Sequence, residues 1–281
     1  MKYLLLLFLS TYLLAQSLHS SISTYYEIPS FSGSKQKTDG VLYGIGADVH
    51  HQNSEYKFAY EHADTQTIQP PLSKNLHIDK LFLRYSYRIN SEFFVNLNYI
   101  NVLSDNIAIT DNGQSFGAGV SYAPNPKVTL NFTQFHTSYE DFSTNQSDFK
   151  VTFKTKLDAF KFKLTALAKY ITLHEKNLNS FTKNAQDEYF TSALKVHSHY
   201  NSYHFGGGIY FGKRAFAVMD DGFKIQHHAM EFDKTYALGV GKSISNFVLR
   251  IQYIHQEATE LPPQNEGVKV DNLRFIVNYK L

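Results

Sequence analysis

Apolar residues recur at every second position over most of the chain, and this period predicts β-strands. In 81–89 one face reads Leu81, Leu83, Tyr85, Tyr87 and Ile89, and the other reads Phe82, Arg84, Ser86 and Arg88. The next segment sets Phe93, Val95, Leu97 and Tyr99 against Asn96 and Asn98. Near the end, Phe247, Leu249, Ile251 and Tyr253 oppose Arg250 and Gln252, and Leu273, Phe275, Val277, Tyr279 and Leu281 oppose Arg274, Asn278 and Lys280. No window holds a helical period for long.

The connections sort by length. Tight ones fall at Asn90-Ser91, Pro124-Asn125-Pro126, Asp158-Ala159 and Ser243 to Asn246. Longer polar ones run from Gln66 to Asn75, Ser104 to Asn112, Leu173 to Gln186, Gly212 to Met230 and Ala258 to Gly267. Fourteen segments result: 20–30, 41–51, 54–64, 76–89, 92–102, 114–122, 127–138, 148–157, 160–171, 188–198, 203–211, 232–242, 247–257 and 269–281. Walking backward from the C-terminus places every tight turn on one side and every long loop on the other. Each segment has about the length a tilted strand needs to cross a bilayer. The predicted fold is all-β: a transmembrane antiparallel up-and-down β-barrel of about fourteen strands, or twelve, with short periplasmic turns and long extracellular loops. Segment 20–30 alternates poorly and carries Pro29. A secreted β-sandwich also alternates, but it does not sort its loops by length.

Composition supports the membrane reading. Twenty Tyr and twenty-three Phe stand among 281 residues, with no Trp, and the chain has no Cys, so no disulfide or thiolate metal site is available. A mean hydropathy of −0.32 excludes a bundle of membrane-spanning helices. A net charge of +2 gives no electrostatic footprint for nucleic acid. Lys2, the apolar run Tyr3 to Leu14 and the small residues of Ala15-Gln16-Ser17 predict a signal peptide over 1–17, cleaved after 15 or 17. Residues 18–281 then form the barrel.

The charge is unevenly distributed. Phe149 to Tyr170 reads FKVTFKTKLDAFKFKLTALAKY, with six lysines and one acid, Asp158. Alternation puts Phe149, Val151, Phe153, Thr155 and Leu157 on one face and Lys150, Thr152, Lys154 and Lys156 on the other. It likewise opposes Phe160, Phe162, Leu164, Ala166, Ala168 and Tyr170 to Lys161, Lys163, Thr165 and Lys169. A lysine facing lipid near the midplane costs about 2–4 kcal/mol, so these face a lumen. Lys57, Lys80, Arg84, Arg88, Arg250, Arg274 and Lys280 join them as expected pore-lining bases. Asp48, Glu55 and Glu61 are the acids read as inward, while Glu140, Asp141, Glu175, Asp187, Asp220, Asp221, Glu260 and Glu266 fall in loops or at strand ends. A lumen lined by one sign favours the opposite ion. The alternative is that loop acids fold inward and pair with these bases, leaving the interior plugged or unselective.

In its last segment the chain resembles bacterial outer-membrane β-barrel proteins and the small monomeric porin-like channels among them. Leu273, Phe275, Val277, Tyr279 and Leu281 resemble the C-terminal strand read by the barrel assembly machinery, with Leu281 where the family usually ends in Phe. The resemblance implies location in the bacterial outer membrane and passive diffusion of small solutes; the basic lumen makes the expected solutes preferentially anionic or polar. It implies outer-membrane lipids, the assembly machinery and periplasmic chaperones as partners, and no cofactor. A structural or adhesive barrel without conduction is the other non-enzymatic reading.

Two further chemistries were weighed. Thirteen histidines include His50-His51, His197, His199 and His204, and His227-His228. No carboxylate has a fixed relation to these clusters in sequence, so no metal site is assigned. His227 and His228 lie in a loop where protonation would act as a pH gate. His136 and Ser138 share an outward face and resemble the His-x-Ser pair of outer-membrane phospholipases and lipid A deacylases. That resemblance implies Ser138 as nucleophile, His136 as base and Asn145 as orienter, with Tyr139 where those families have Asn.

Overall fold

The computed structural model of the protein describes residues 19–69, 72–104, 109–178 and 180–281. The expected signal segment, 1–17, lies outside the described residues. Fourteen antiparallel strands follow one another in chain order and close into a barrel. They are β1 (His19–Ser32), β2 (Lys37–His51), β3 (Ser54–Thr67), β4 (Leu76–Arg88), β5 (Phe93–Ser104), β6 (Gln114–Asn125) and β7 (Val128–Ser138). After them come β8 (Ser143–Leu157), β9 (Phe160–His174), β10 (Glu188–Tyr200), β11 (Tyr203–Phe211), β14 (Met230–Ile244), β15 (Phe247–Glu260) and β16 (Asn265–Lys280). Between β11 and β14, β12 (Val218–Met219) and β13 (Lys224–Ile225) form a separate two-stranded hairpin.

The predicted strands occur where expected, but many run further at the loop end. Segment 148–157 extends back to Ser143, and 269–281 begins at Asn265. Above the lipid the backbone still needs partners, so the ladders continue through polar residues that carry no apolar period. One expected long loop, Ala258 to Gly267, therefore shrinks to the link between Glu260 and Asn265. At the other end, five links join strands through two residues each. In four of them the first residue, Gln52, Asp158, Asn201 or Ser245, adopts a left-handed φ of 51–53°.

Closure rests on β1, whose residues Ser21 to Ser32 pair with Lys280 to Lys269 of β16. The Leu281 amide donates to the Ser20 carbonyl at 2.9 Å. Every barrel strand thus has two neighbours, as a hydrocarbon environment requires.

The two faces separate as the alternation predicts. Phe149, Phe153, Leu164 and Tyr170 point outward and are exposed to the lipid side. Near the tight turns, aromatic rings meet across strands: Tyr56 with Tyr85, Phe93 with Tyr122, Phe160 with Tyr200, and Phe247 with Tyr279, at 4.5–5.1 Å between centroids. These rings form an aromatic girdle at the tight-turn end, of the kind that borders the apolar band of membrane barrels. Inside the loop-side half, Ile78, Phe82, Ile100, Val102, Phe135 and Ile171 are buried in one apolar core. That half of the lumen is not an open water column.

The register gives a direct expectation. Leu164→Lys puts a charge into lipid and should destabilise the barrel by about 2–4 kcal/mol. Lys163→Glu, one residue away, should stay within about 0.5 kcal/mol. Reversible denaturant unfolding in lipid vesicles measures both, and equal costs would contradict the register.

Candidate functional site: a basic lumen beneath an inward loop

The core in the loop-side half forms around the segment between β11 and β14. Ala215, Phe216, Ala217, Val218, Met219 and Ile225 are buried there against inward residues of the wall. Backbone and side-chain bonds tie the segment in place. Gln146 receives the Val218 amide at 2.9 Å and donates back to the Val218 carbonyl at 2.8 Å. Lys169 also donates to that carbonyl, at 2.9 Å. The turn at the tip holds Gly222 at φ 94°, where a Cβ would sit 2.7 Å from the Asn98 side chain.

The tip carries Asp220 and Asp221. Asp220 meets Lys195 of β10 at 3.1 Å, and Asp221 meets Lys150 of β8 at 2.6 Å, with Arg84 of β4 at 4.0 Å. The Lys195 ammonium holds the Asp220 carboxyl well below its usual range. For Asp221, enclosure by protein raises the value, but Lys150, with Arg84 and Lys195, outweighs this and leaves it lowered.

All thirteen predicted bases belong to the inward face, but they divide into three groups. Lys80 with Glu61, Lys169 with Asp148, and Arg274 with Glu27 form ion pairs in which Lys80 and Lys169 are 2% exposed. Lys80 and Lys169, expected to line an open pore, are buried in the wall, whereas Arg274 is 14% exposed and borders the cavity between loop and wall. Their partners Glu27 and Asp148 were missing from the inward acids, because both lie on strands read only for their apolar and basic positions. A second group keeps lumen-facing partners: Lys57 with Asp48 and Glu55 at 3.4 and 3.1 Å, and Arg84 and Lys150 with the loop tip. Lys195, which sequence reasoning did not single out, joins this group.

The third group lies toward the periplasmic turns. Lys154 stands directly opposite Lys163, and Lys156 opposite Lys161. All four are exposed, and none has a carboxylate at ion-pair distance among the described residues. The next strand adds His197 opposite Lys163 and His199 opposite Lys161. Arg250 donates to Asn278 at 2.9 Å, Arg88 lies over the Phe94 ring at 5.1 Å, and Lys280 sits at the end of β16. Between loop and wall is a cavity of about 240 Å³, lined among others by Lys195, His197, Asp220, Gln252 and Arg274. Gly206, Gly208 and Gly239 border it, so the wall there projects no side chains.

The other candidates resolve differently. His136 Nδ1 lies 2.8 Å from Asn145 Oδ1, and the Asn145 amide nitrogen lies 3.0 Å from His174. No hydrogen bond joins Ser138 to His136 among the described residues, and Ser138 pairs across the sheet with Ser143. Asn145 links two imidazoles instead of orienting a nucleophile–base pair. His199 and His204 stack edge to face at 4.5 Å without an acid between them. Leu273, Phe275 and Tyr279, expected to form an assembly signal, face outward, and Leu281 is exposed at the barrel's edge.

No protein-family model matches the chain, and no curated protein matches it. Solved structures do. A bacterial polysaccharide outer membrane secretin superposes with a TM-score of 0.58 at 10% identity, covering 93% of this chain and 98% of that one. The toluene transporter TbuX of Ralstonia pickettii gives 0.56 at 9% identity, covering 95% and 90%. The NanC porin gives 0.51 at 10% identity, covering 92% and 100%. The fold is that of a bacterial outer-membrane β-barrel protein.

The loop's histidines make its seat sensitive to pH. His227 is buried and His228 half-buried, with ring centroids 4.0 Å apart. Burial first, then the charges of Lys37 and Lys80, push both well below the usual histidine range, with Lys224 adding to this at His228. A depressed histidine contributes stability that is complete above its unfolded value of about 6.5 and is lost as pH falls below it. The two aspartates, held low by lysines, give way only at much lower pH. Amide hydrogen exchange of residues 214–230, corrected for its intrinsic pH dependence, is expected to be faster at pH 5 than at pH 7.5. The double change His227→Gln and His228→Gln should flatten that difference.

Proposed function

We propose that this barrel is an outer-membrane channel for passive diffusion of small polar, preferentially anionic, solutes. The observation that carries the proposal is the pair of like-charged contacts, Lys154 with Lys163 and Lys156 with Lys161, on a wet wall without acids. Like charges directly opposite one another destabilise a sheet. Such a wall is relieved by mobile anions, which concentrate there. The neighbouring His197 and His199 add no negative charge. The names of the structural neighbours, a toluene transporter and a porin among them, agree with a channel and do not fix its solute. The inward loop narrows the path above the basic wall, so its displacement sets the conductance. A barrel that serves only as structure or adhesin is the second reading, favoured by the buried seat of Phe216 and Val218.

Single-channel recording across a salt gradient tests both readings. The wild type should show an anion-directed reversal potential that weakens as salt rises, since screening shortens to about 8 Å near physiological strength and 3 Å at 1 M. Changing Lys154, Lys156, Lys161 and Lys163 to Glu should reverse the sign while the barrel stays folded. Excising 215–228 should raise conductance. Cation preference in the wild type would sink the anionic reading, and silence of both wild type and loop-deleted barrel would favour the structural one.

The same reading makes the outward residues of β16 the element that the assembly machinery and its chaperones recognise. Deleting Tyr279 to Leu281 removes the end of the closing ladder and should deplete the protein from the outer membrane in fractionation experiments. Normal insertion would count against it.

A further inference from the structure

The outer surface carries a polar cluster that the channel reading does not use. Strand β3 ends its lipid-facing row with Tyr60, His62 and Asp64, and β4 begins its row with His77 and Asp79. In register, His62 opposes Asp79, and Asp64 opposes His77. His-x-Asp on two strands of one hairpin therefore forms a square of alternating imidazole and carboxylate.

The hydrogen bonds give the square a direction. Asp79 Oδ1 receives the Tyr60 hydroxyl at 2.5 Å and lies 2.7 Å from His62 Nδ1. An ionised carboxylate only accepts, so His62 carries a proton on Nδ1. In the neutral ring the lone pair is then on Nε2. That atom faces Asp64 Oδ1 at 3.2 Å, and His77 Nδ1 contacts the same oxygen from the other side. Two acceptors facing each other are reconciled either by a second proton on Nε2 or by a metal cation that takes both lone pairs. The candidate ligand atoms of His62, Asp64 and His77 all lie within 4.8 Å of one another, the one such group of three among the described residues. The side chains remain accessible, at 21%, 37% and 47% exposure.

We propose that His62, Asp64 and His77 bind a divalent first-row transition metal, such as Zn²⁺ or Co²⁺, on the outer face above the lipid band. Two imidazoles and one carboxylate select such ions over Ca²⁺ and Mg²⁺, which prefer oxygen ligands. Asp79 is a positioning residue: it fixes the His62 tautomer, as carboxylates behind metal-bound histidines do. Tyr60 in turn holds Asp79.

The barrel contains its own comparison. On β15 and β16, Tyr253 donates to Asp271 at 2.5 Å, and His255 Nδ1 lies 2.8 Å from that same oxygen. This repeats the Tyr60–His62–Asp79 arrangement. However, the places of Asp64 and His77 are taken by Glu257 and Lys269, which oppose each other in the register. A lysine at the ligand position repels a metal, so this second group has the positioning pair without the site.

The experiment is titration of the full barrel, folded in detergent, with Zn²⁺ by calorimetry and with Co²⁺ by its visible d–d absorption. One equivalent should bind, undisturbed by millimolar Ca²⁺ or Mg²⁺. His77→Lys, which copies the second group, should abolish it. Asp79→Asn should weaken it about 10–100-fold, and His255→Ala should leave it unchanged. Heat-modified gel mobility confirms that each variant is folded. Absence of binding in the wild type, equal competition by Ca²⁺, or binding that survives both His62→Ala and His77→Lys would overturn the assignment; in the last case the lumenal histidines hold the metal.

Discussion

Closure of the ring is the constraint from which the other features follow. In hydrocarbon, an unpaired backbone amide has no water to turn to, so a sheet with an edge cannot span the bilayer. The first strand, despite Pro29 and its weak alternation, is held because β16 and β2 both need a neighbour. Once closed, the register is a property of the whole ring. Sliding one strand by a single residue would turn its lysines to lipid and its phenylalanines to water. The basic wall of β8 and β9 and the apolar belt around it are two sides of one choice.

Closure also decides what the interior must tolerate. Inward positions on the loop side include both large apolar residues and charges, and neither can face a dry lumen alone. The segment between β11 and β14 supplies the missing partners. Its apolar residues cover Phe82, Ile100 and Phe135, and its tip carries acids to Lys150, Lys195 and Arg84. The buried pairs Lys80–Glu61 and Lys169–Asp148 are costly to desolvate, and removing one member leaves an uncompensated charge worth about 3–5 kcal/mol. Lys169 also donates to the Val218 carbonyl, so the wall's buried pair helps place the loop.

Strand number, facing and the inward lysines were legible because period two is written into each segment at nearly every step. The plug was legible only as the alternative in which loop acids fold inward; its apolar seat was not read, although its signals were present. Ala215 to Met219 is a run of five apolar residues inside a stretch read as polar. Ile78, Phe82 and Ile100 sit at inward positions that a water-filled pore would not favour. Glu27 and Asp148 stand at inward positions of their strands, but a single acid on a strand face carries no sequence signal until the register supplies its base. The metal-type cluster escaped for another reason. His62-Ala63-Asp64 and His77-Ile78-Asp79 are ordinary spacings until the hairpin register sets them antiparallel, so only pairing reveals the square.

The balance of forces on the loop can be read from its contacts. Asp220 and Asp221 are about half exposed to the lumen, at 50% and 49%. Ion pairs so exposed contribute about 0–1 kcal/mol each and weaken as salt rises. Fully burying a side chain such as Phe216, Val218 or Ile225 contributes about 1.5–3 kcal/mol. Apolar packing therefore seats the loop, and the aspartates chiefly set where its tip points. Salt can free the tip and change the field over the lysine wall without unseating the loop. Protonating His227 acts on the seat itself, because that ring lies within the buried part. The two ends of the loop thus respond to different conditions, ionic strength at the tip and pH at the base.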